Sequence, residues 1–185
     1  AESNEAAVTI TVDEAPVANG DSAGTDQGEP VTTDVLANDS DDDGLVPSTV
    51  QVQSGPSDGA VTNNGDGTLT YAPDSSFFGT DTFTYTVEDT GGNESAEAAV
   101  TIEVNGRPVA ASDSAQTIEQ SAVTTAVLSN DTDPDGDGLD ASTVTVQSSP
   151  ESGTTTVNSD GTITYAPDGA TQSSFTDTYT YTVED

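Results

Sequence analysis

Apolar residues alternate with small polar residues in short runs along the chain. The clearest run places Phe83, Tyr85 and Val87 between threonines, and Gly, Pro, Asn and Asp bound the runs on both sides. Successive side chains of a β-strand point to opposite faces, so such a run buries one face and leaves a threonine face in water. No stretch has the period of an amphipathic helix. The pattern predicts half-buried β-strands throughout.

The first half of the chain contains enough such runs for a complete β-sandwich. We predict strands over residues 31–36, 49–54, 59–62, 68–71, 81–87 and 97–104, with an edge segment near Asp21. About seven strands in about 90 residues is the number found in an immunoglobulin-like sandwich. The Asn-Asn-Gly-Asp-Gly sequence at 63–67 supplies the left-handed residues that a tight hairpin needs.

Two copies of this unit follow one another. The sequence EAAVTITVDEAPVA at 5–18 returns as EAAVTIEVNGRPVA at 97–110, and TDTFTYTVED at 80–89 returns as TDTYTYTVED at 176–185. A repeat that covers nearly the whole chain indicates a tandem array. The predicted fold class is therefore all-β, with two tandem immunoglobulin-like (cadherin-like) antiparallel β-sandwiches of about seven strands each.

The repeat is out of phase with the chain by one strand. We expect residues 1–14 to be the last strand of a preceding repeat, 15–105 to be the first repeat, and 106–185 to be a second repeat that lacks its own last strand. An unpaired sheet edge invites strand addition. One hypothesis is head-to-tail assembly of identical chains, in which Val8, Ile10 and Val12 complete the second repeat of a neighbour. The alternative, a cut from a longer covalent array, stays equally open.

Charge narrows the choice of partners. The chain has one Lys or Arg against 34 Asp or Glu, a net charge of -33, and neither Cys nor His. This charge repels nucleic acid and anionic membranes, and only oxygen ligands remain for a metal ion, which favours hard cations. No apolar run approaches the ~20 residues of a membrane span, so we expect a soluble segment with no membrane insertion.

Two Asp-rich loops are the candidate metal sites. Asp-x-Asp-x-Asp-Gly begins at Asp39 and again at Asp131, each time just after a predicted strand. Carboxylates on alternate loop residues converge and repel one another unless a cation lies between them, and calcium is the cation that suits such ligands. The simpler alternative is that Asn, Asp and Gly form turns without metal.

Neither loop is an EF-hand, because the twelfth position is Val50 in the first and Ser142 in the second instead of Glu. Other residues must therefore complete the coordination. The weaker candidates lie within the loops, near the linkers or at the strand ends, namely Asn38, Asn130, Asp21, Asp113, Glu88, Asp89, Glu184 and Asp185.

The sequence contains few kinds of side chain that could act in catalysis. Without His, Cys or Lys, a carboxylate-pair glycosidase is the sole enzymatic alternative, and nothing in the sequence places two carboxyls across a cleft. We therefore predict no enzyme. Phe77 and Phe78 are the one aromatic pair outside an alternating strand, and they either plug the end of the sandwich or contact a ligand. An adhesin module that binds glycans or protein is accordingly the alternative function.

The combined motifs resemble a known family. PVAxxDS, DVLxNDxDxDGD, NGDGTxTYxPxxxFxGTDxFTYTVxD and xAxVTIxV occur in order and look like the tandem bacterial immunoglobulin-like, or cadherin-like, repeats of large surface adhesins. The resemblance implies an extracellular, calcium-stiffened array on a bacterial surface. Carried over by motif, the calcium ligands are Asp39, Asp41, Asp43, Asp131, Asp133, Asp135 and Asp137. The first copy lacks two residues after Gly44, which puts its ion count in doubt.

Overall fold

The computed structural model describes residues 1, 3–10, 12–169 and 174–185. It divides into two compact units, Ala1–Asn105 and Gly106–Asp185. Among the described residues the only helical element is a single 3₁₀ turn at Val127–Ser129. The predicted all-β class is confirmed.

The first unit contains seven strands in two sheets. Their bounds are β1 Asp21–Asp26, β2 Val31–Asp34, β3 Leu45–Ser54, β4 Gly59–Asn63, β5 Thr68–Pro73, β6 Gly79–Asp89 and β7 Ala98–Asn105. One sheet has the order β1-β7-β6-β3, and the other has the order β2-β5-β4. Each predicted strand of this repeat is present, with ends that differ by a few residues.

One pairing departs from the antiparallel expectation. Strand β1 runs parallel to β7, from Asp21 opposite Val100 to Asp26 opposite Asn105. The other pairs of this unit are antiparallel, including β6 with β7 and β3 with β6. The alternation of apolar residues cannot reveal this difference, because a parallel and an antiparallel neighbour bury the same face.

The core of the first unit lies between its two sheets. Strand β6 contributes Phe83, Tyr85 and Val87, all at most 2% exposed, and β7 contributes Ile102 at 0%. Tyr71 from the opposite sheet stacks on Phe83, with ring centroids 6.3 Å apart. Alternating residues of both sheets therefore meet as in other β-sandwiches.

A buried carboxylate at the start of β6 fastens the loop before β4. Asp81, 5% exposed, accepts hydrogen bonds from the backbone N–H of Ser57 and Asp58 at 3.0 and 2.9 Å and from the Tyr71 hydroxyl at 3.0 Å. Asp177 does the same in the second unit, with the N–H groups of Glu151 and Ser152 at 2.8 Å. An aspartate that holds this loop by hydrogen bonds thus occurs in both units, and the sequence pattern did not predict it.

The described residues of the second unit form five strands. Their bounds are β8 Val123–Thr125, β9 Asp140–Ser148, β10 Gly153–Val157, β11 Ile163–Pro167 and β12 Thr180–Glu184. They form a sheet of order β10-β11-β8 and a β12-β9 pair. Val127, Val144 and Ile163 are its buried apolar residues, while Tyr179 and Tyr181 are only partly buried against them. Among its described residues this unit has no strand equivalent to β7, and its cluster of buried apolar residues is smaller than that of the first unit.

The N-terminal segment is not a strand in this structure. Residues 3–10 and 12–16 have no strand assignment, and Thr11 of the expected strand lies outside the described residues. Val8, Ile10 and Val12 are 84%, 80% and 82% exposed. The described residues of 5–12 thus have no strand neighbour, and a β-strand requires one for its hydrogen bonds, so the expected strand stays a prediction.

Candidate metal sites at equivalent ends of the two repeats

In the first repeat, the loop between β2 and β3 meets the end of β6. Carboxylate oxygens of Asp41, Asp43 and Asp89 all lie within 4.8 Å of one another, and those of Asp13, Asp42 and Asp43 form an overlapping group. We call these five residues the first acidic cluster. The strand brings Asp89 to the loop, since Asp89 is the last residue of β6 and Leu45 at the start of β3 pairs with it.

Backbone and amide groups position the first acidic cluster. The Asp41 Oδ2 atom accepts hydrogen bonds from the N–H groups of Asp43 and Gly44, both at 3.1 Å, which curls the loop around that carboxylate. Asn93 donates from its backbone N–H to Asp89 Oδ1 and from its Nδ2 to Asp89 Oδ2, both at 2.8 Å. The same Nδ2 lies 2.8 Å from Asp13 Oδ2, so Asn93 joins Asp13, which precedes the first strand, to Asp89 at the end of β6.

The second repeat builds the equivalent group, which we call the second acidic cluster. Carboxylate oxygens of Asp133, Asp135, Asp137 and Asp185 lie within 4.8 Å of one another. Asp133 Oδ1 accepts hydrogen bonds from the N–H groups of Asp135 and Gly136 at 3.2 and 2.9 Å. The turn at Asp41 is thus repeated at Asp133, and Asp185 corresponds to Asp89.

Each cluster concentrates negative charge. In the first, the hydrogen bond shared by the two carboxyls raises the pKa of Asp43 and lowers that of Asp41. In the second, the corresponding bond raises the pKa of Asp133 and lowers that of Asp135. Burial opposes ionisation of Asp89, but the hydrogen bonds from Asn93 together with those from the backbone of Gly92 and Gly91 outweigh it and lower the pKa of that carboxyl. The close approach of two carboxyls thus shifts their pKa values in opposite directions in both clusters.

The first aspartate of each loop lies elsewhere. Asp39 accepts a hydrogen bond from the N–H of Asn19 at 2.7 Å and another from the Tyr85 hydroxyl at 2.8 Å. Asp131 accepts equivalent bonds from the N–H of Ala111 at 2.7 Å and from Tyr181 at 2.9 Å. Asp39 ties its loop to the segment before β1, Asp131 ties its loop to the equivalent segment at Ala111, and neither belongs to an acidic cluster.

Asp21 and Asp113 lie beside these tyrosines. Burial first, and the nearby Asp39 carboxylate second, raise the pKa of Asp21 to about 6. Burial also raises the pKa of Asp113. The Asp21 Oδ2 atom is buried without a hydrogen-bond partner. The structure therefore separates these two candidates from the acidic clusters.

The remaining candidates also fall outside the clusters. Asn38 and Asn130 donate from their amides to the carbonyl oxygens of Gly20 and Ser112, at 3.0 and 3.2 Å. Glu88 and Glu184 precede the clustered Asp89 and Asp185. Adjacent residues of a strand point to opposite faces, so these glutamates point away from the aspartates.

Two members of the first cluster were missed as candidates. Asp13 lies just after the run at 5–12, and Asp42 lies between the two predicted ligands Asp41 and Asp43. The only sequence signal for these two residues was the high density of acidic residues near Asp13 and in the loop between β2 and β3. Their approach to Asp43 depends on how the chain enters the sandwich, which residue spacing does not reveal.

Family comparisons agree with this architecture. A family model described as a bacterial Ig domain matches residues 13–103, and one described as a bacterial cadherin-like domain matches residues 105–185. The chain therefore belongs to the tandem bacterial immunoglobulin-like and cadherin-like repeats. Such repeats are structural modules, usually extracellular or on the cell surface, and cadherin-like domains commonly bind calcium. A search of curated proteins gives no match.

Similarity to solved structures is low. An endo-fucoidan hydrolase of glycoside hydrolase family 107 is 20% identical with a TM-score of 0.39, over 91% of this chain and 26% of that chain. A PKD domain is 20% identical with a TM-score of 0.36, over 54% of this chain and 93% of that one. Titin Ig tandem domains are 14% identical with a TM-score of 0.29, over 93% of this chain and 95% of that chain. The chain thus spans about a quarter to a third of the length of the first hydrolase chains that it matches.

Within the part of the chain that the structure describes, no helix has the length and apolar character needed to cross a bilayer.

Proposed function

We propose that this chain is a structural repeat of an extracellular bacterial fibre or adhesin stalk, stiffened by calcium at its acidic clusters. One observation carries the proposal. Both repeats gather loop aspartates around an aspartate at a strand end: Asp89 is the last residue of β6 in the first repeat, and Asp185 directly follows β12 in the second. Turn formation alone explains the loop aspartates, but it does not explain why a strand-end carboxylate approaches them in each repeat.

The donor sets suit a hard cation. Every candidate ligand is a carboxylate oxygen, which is the ligand that calcium prefers. In the second repeat, Asp133 Oδ2 is buried and has no hydrogen-bond partner, so a polar atom there lacks the compensation that burial requires. Bound calcium supplies positive charge that offsets the repulsion among the carboxylates and links a loop to a strand end. Extracellular modules of this type bind with dissociation constants of about 10⁻⁴ to 10⁻³ M.

Calcium titration of an Asp89→Asn variant tests the site. Calorimetry should detect weaker or absent binding at the first repeat, because one carboxylate of the cluster loses its charge. The thermal midpoint of the wild type should rise with calcium, and the variant should gain less. Asp74→Asn is the matched control, since it removes the same charge from an exposed residue outside the clusters. Equal calcium responses in wild type, Asp89→Asn and Asp185→Asn would contradict the proposal.

The proposal includes head-to-tail assembly of identical chains. The exposed residues Val8, Ile10 and Val12 have the same sequence spacing as Val100, Ile102 and Val104, which are at most 2% exposed inside the first repeat. The described part of the second repeat contains no strand equivalent to β7. Residues 5–12 of a neighbouring chain therefore have the right pattern to fill that position by strand addition.

Assembly is tested by sedimentation velocity over a range of protein concentrations. We expect head-to-tail oligomers from the wild type and monomers from an Ile10→Asp variant, since a carboxylate would enter the position that Ile102 occupies in the first core. Thr9→Asp is the control, because the equivalent Thr101 is only partly buried and alternates with core residues. Growth that survives Ile10→Asp, or a wild-type monomer at all concentrations, would leave only the covalent-array alternative.

The alternative function, an adhesin module for glycans or protein, has weaker support. Phe77 packs against the core of the first repeat, as a plug would. Phe78 is 42% exposed, which leaves a single ring for a ligand contact. A glycan array would decide this alternative: binding that Phe78→Ala abolishes without a change in thermal midpoint would support it.

A further inference from the structure

The first and last strands of the first repeat are neighbours in one sheet. In the order β1-β7-β6-β3, β1 lies at the edge and pairs with β7. The pair is parallel and extends from Asp21 opposite Val100 to Asp26 opposite Asn105. The backbone N–H of Gln27 donates to the carbonyl oxygen of Asn105 at 2.8 Å, which continues the ladder beyond β1. The strands through which the chain enters and leaves this sandwich are therefore joined along all of β1.

Parallel pairing fixes how this ladder responds to tension along the chain. A load on the preceding segment pulls β1 from its Asp21 end, and a load on the following segment pulls β7 from its Asn105 end, at the opposite end of the pair. The strands are then sheared along their axis, and the evenly spaced hydrogen bonds of the ladder share the load. In an antiparallel terminal pair both loads would act at the same end, and the bonds would open one at a time.

Strand β7 is held more firmly than β1. Residues 98–104 of β7 pair with β6 on the other side of the strand. Val100, Ile102 and Val104 are at most 2% exposed in the core, whereas the side chains of β1 are exposed or only partly buried. Removal of β7 from the sheet would break two ladders and uncover the core, but removal of β1 would break only one. The β1–β7 ladder is therefore the part of this sheet that ruptures first when the chain is pulled.

Hydrogen bonds also hold the segment that leads into β1. Val17 and Ser40 exchange two backbone hydrogen bonds, at 2.9 and 3.1 Å. The N–H of Asn19 donates to Asp39 Oδ1 at 2.7 Å. Tension on this segment thus reaches the loop between β2 and β3 as well as β1, so the first hydrogen bonds of the ladder do not bear the load alone. Asp39, which lies outside the first acidic cluster, thereby carries part of the tension.

We propose that the parallel β1–β7 ladder is a mechanical clamp that lets the first repeat withstand tension transmitted along the array. The inference rests on the proposed role in a fibre or stalk, because such an array is loaded end to end. Forced unfolding is governed by the rate of unfolding and not by the equilibrium free energy. The clamp therefore raises the force needed to unfold the repeat without requiring an unusually stable fold.

Single-molecule pulling of the full chain in two directions tests the clamp. The chain contains no cysteine, so paired cysteine substitutions give unique attachment points. Ser22→Cys with Arg107→Cys loads the two strands from opposite ends, whereas Asp26→Cys with Arg107→Cys loads them from the same end. Ser22 and Asp26 are both exposed residues of β1, which makes the pairs matched. We expect the rupture force to be at least about twofold higher for the Ser22 pair, because its hydrogen bonds break together and not in sequence.

Proline substitutions in β1 give a second measurement, with attachment at Ala1→Cys and Arg107→Cys. The N–H of Gln27 points to β7, and alternate N–H groups of a strand point the same way, so Ala23 donates to β7 and Gly24 points its N–H away. Ala23→Pro should lower the rupture force, because proline removes a donor of the ladder. Gly24→Pro is the matched control and should lower it less, since the same ring replaces an N–H on the free side.

The outcomes separate the clamp from the proposed function. Equal rupture forces in the two directions, or equal effects of the two prolines, would overturn the clamp. If calcium still raises the thermal midpoint in that case, the calcium-stiffened stalk is retained. A rupture force that depends on direction, in a chain whose midpoint does not respond to calcium, would retain the clamp and contradict stiffening by calcium.

Discussion

At the scale of single residues, equivalent carboxylates have a structural role in the two repeats, Asp81, which is buried, and Asp177, which is partly buried. Asp81 accepts three backbone N–H bonds, from Ser57, Asp58 and Thr82, in addition to the bond from Tyr71. Burial opposes its ionisation, but these hydrogen bonds outweigh that effect and lower the pKa of Asp81. Its charge is therefore part of the fold and is not available as a metal ligand.

Asp81→Asn should lower the free energy of unfolding by about 2–3 kcal/mol at neutral pH, because an amide cannot accept all of these hydrogen bonds. Chemical denaturation measures the loss, and Asp74→Asn is the control with the same charge change. A loss no greater than that of the control would show that the hydrogen bonds to Asp81 contribute little to the free energy of unfolding.

The pH dependence of that loss has a definite sign. A carboxyl with a lowered pKa stabilises the fold above its unfolded value of 3.8, and this contribution disappears as the pH falls through the lower folded value. The stability difference between wild type and Asp81→Asn should therefore be constant near neutrality and shrink below about pH 3.8. Denaturation series at several pH values test it, and a difference that widens in acid would contradict the assignment.

Asp21 should behave in the opposite way. Its pKa is raised to about 6 by burial and by Asp39, so its ionised form costs stability at neutral pH. Asp21→Asn is expected to raise the thermal midpoint in calcium-free buffer at pH 7, whereas Asp26→Asn, at an exposed position of the same strand, should change it less. A lower midpoint for Asp21→Asn would show that its carboxylate stabilises the fold.

At the scale of strands and loops, Gly59 on β4 shows how closely the Tyr71 side chain of the neighbouring strand β5 covers its backbone. A Cβ atom at this position would lie 2.6 Å from the Tyr71 ring and 2.7 Å from the carbonyl oxygen of Ala72. Gly59→Ala should therefore destabilise the first repeat by about 1–3 kcal/mol. Gly55→Ala is the matched control, because nothing lies within 4 Å of its added Cβ. Similar thermal midpoints for the two variants would contradict this expectation.

The strands themselves were largely predictable from the sequence. Period-two alternation identified β6 because Phe83, Tyr85 and Val87 face a core that any sandwich of these strands must form. The run at 5–12 has the same alternation as β7 but forms no strand, because pairing depends on a neighbour that is distant in sequence or belongs to another chain. Alternation predicts which face of a segment can be buried, and it does not say whether a partner is present.

At the scale of the whole molecule, net charge opposes folding. A charge of -33 on 185 residues produces self-repulsion that mobile cations must screen. The thermal midpoint should rise when sodium chloride is increased from about 10 mM to about 1 M, since the screening length falls from about 30 Å to about 3 Å. Sucrose at equal osmolality is the control. A midpoint that is independent of salt would show that repulsion is already compensated within the fold.

The acidic clusters were only partly predictable. Asp41, Asp43, Asp133, Asp135 and Asp137 were expected from the motif and do meet Asp89 or Asp185, which were weaker candidates. Asp39 and Asp131 share the motif but bond to Tyr85 and Tyr181 instead. The spacing of the aspartates does not show which of them joins an acidic cluster and which bonds to a tyrosine, because all of them lie within one short loop.

The sequence by itself determined that this chain forms repeated β-sandwiches with acidic loops, because alternation, turn residues and internal similarity are local properties. The tertiary structure alone decided that Asp13 and Asp42 join Asp43, that Asp81 holds a loop, and that β1 is parallel to β7. It also decided that 113–118 is not a strand although β1 is. Each of these features depends on contacts between segments far apart in the chain, which no local pattern specifies.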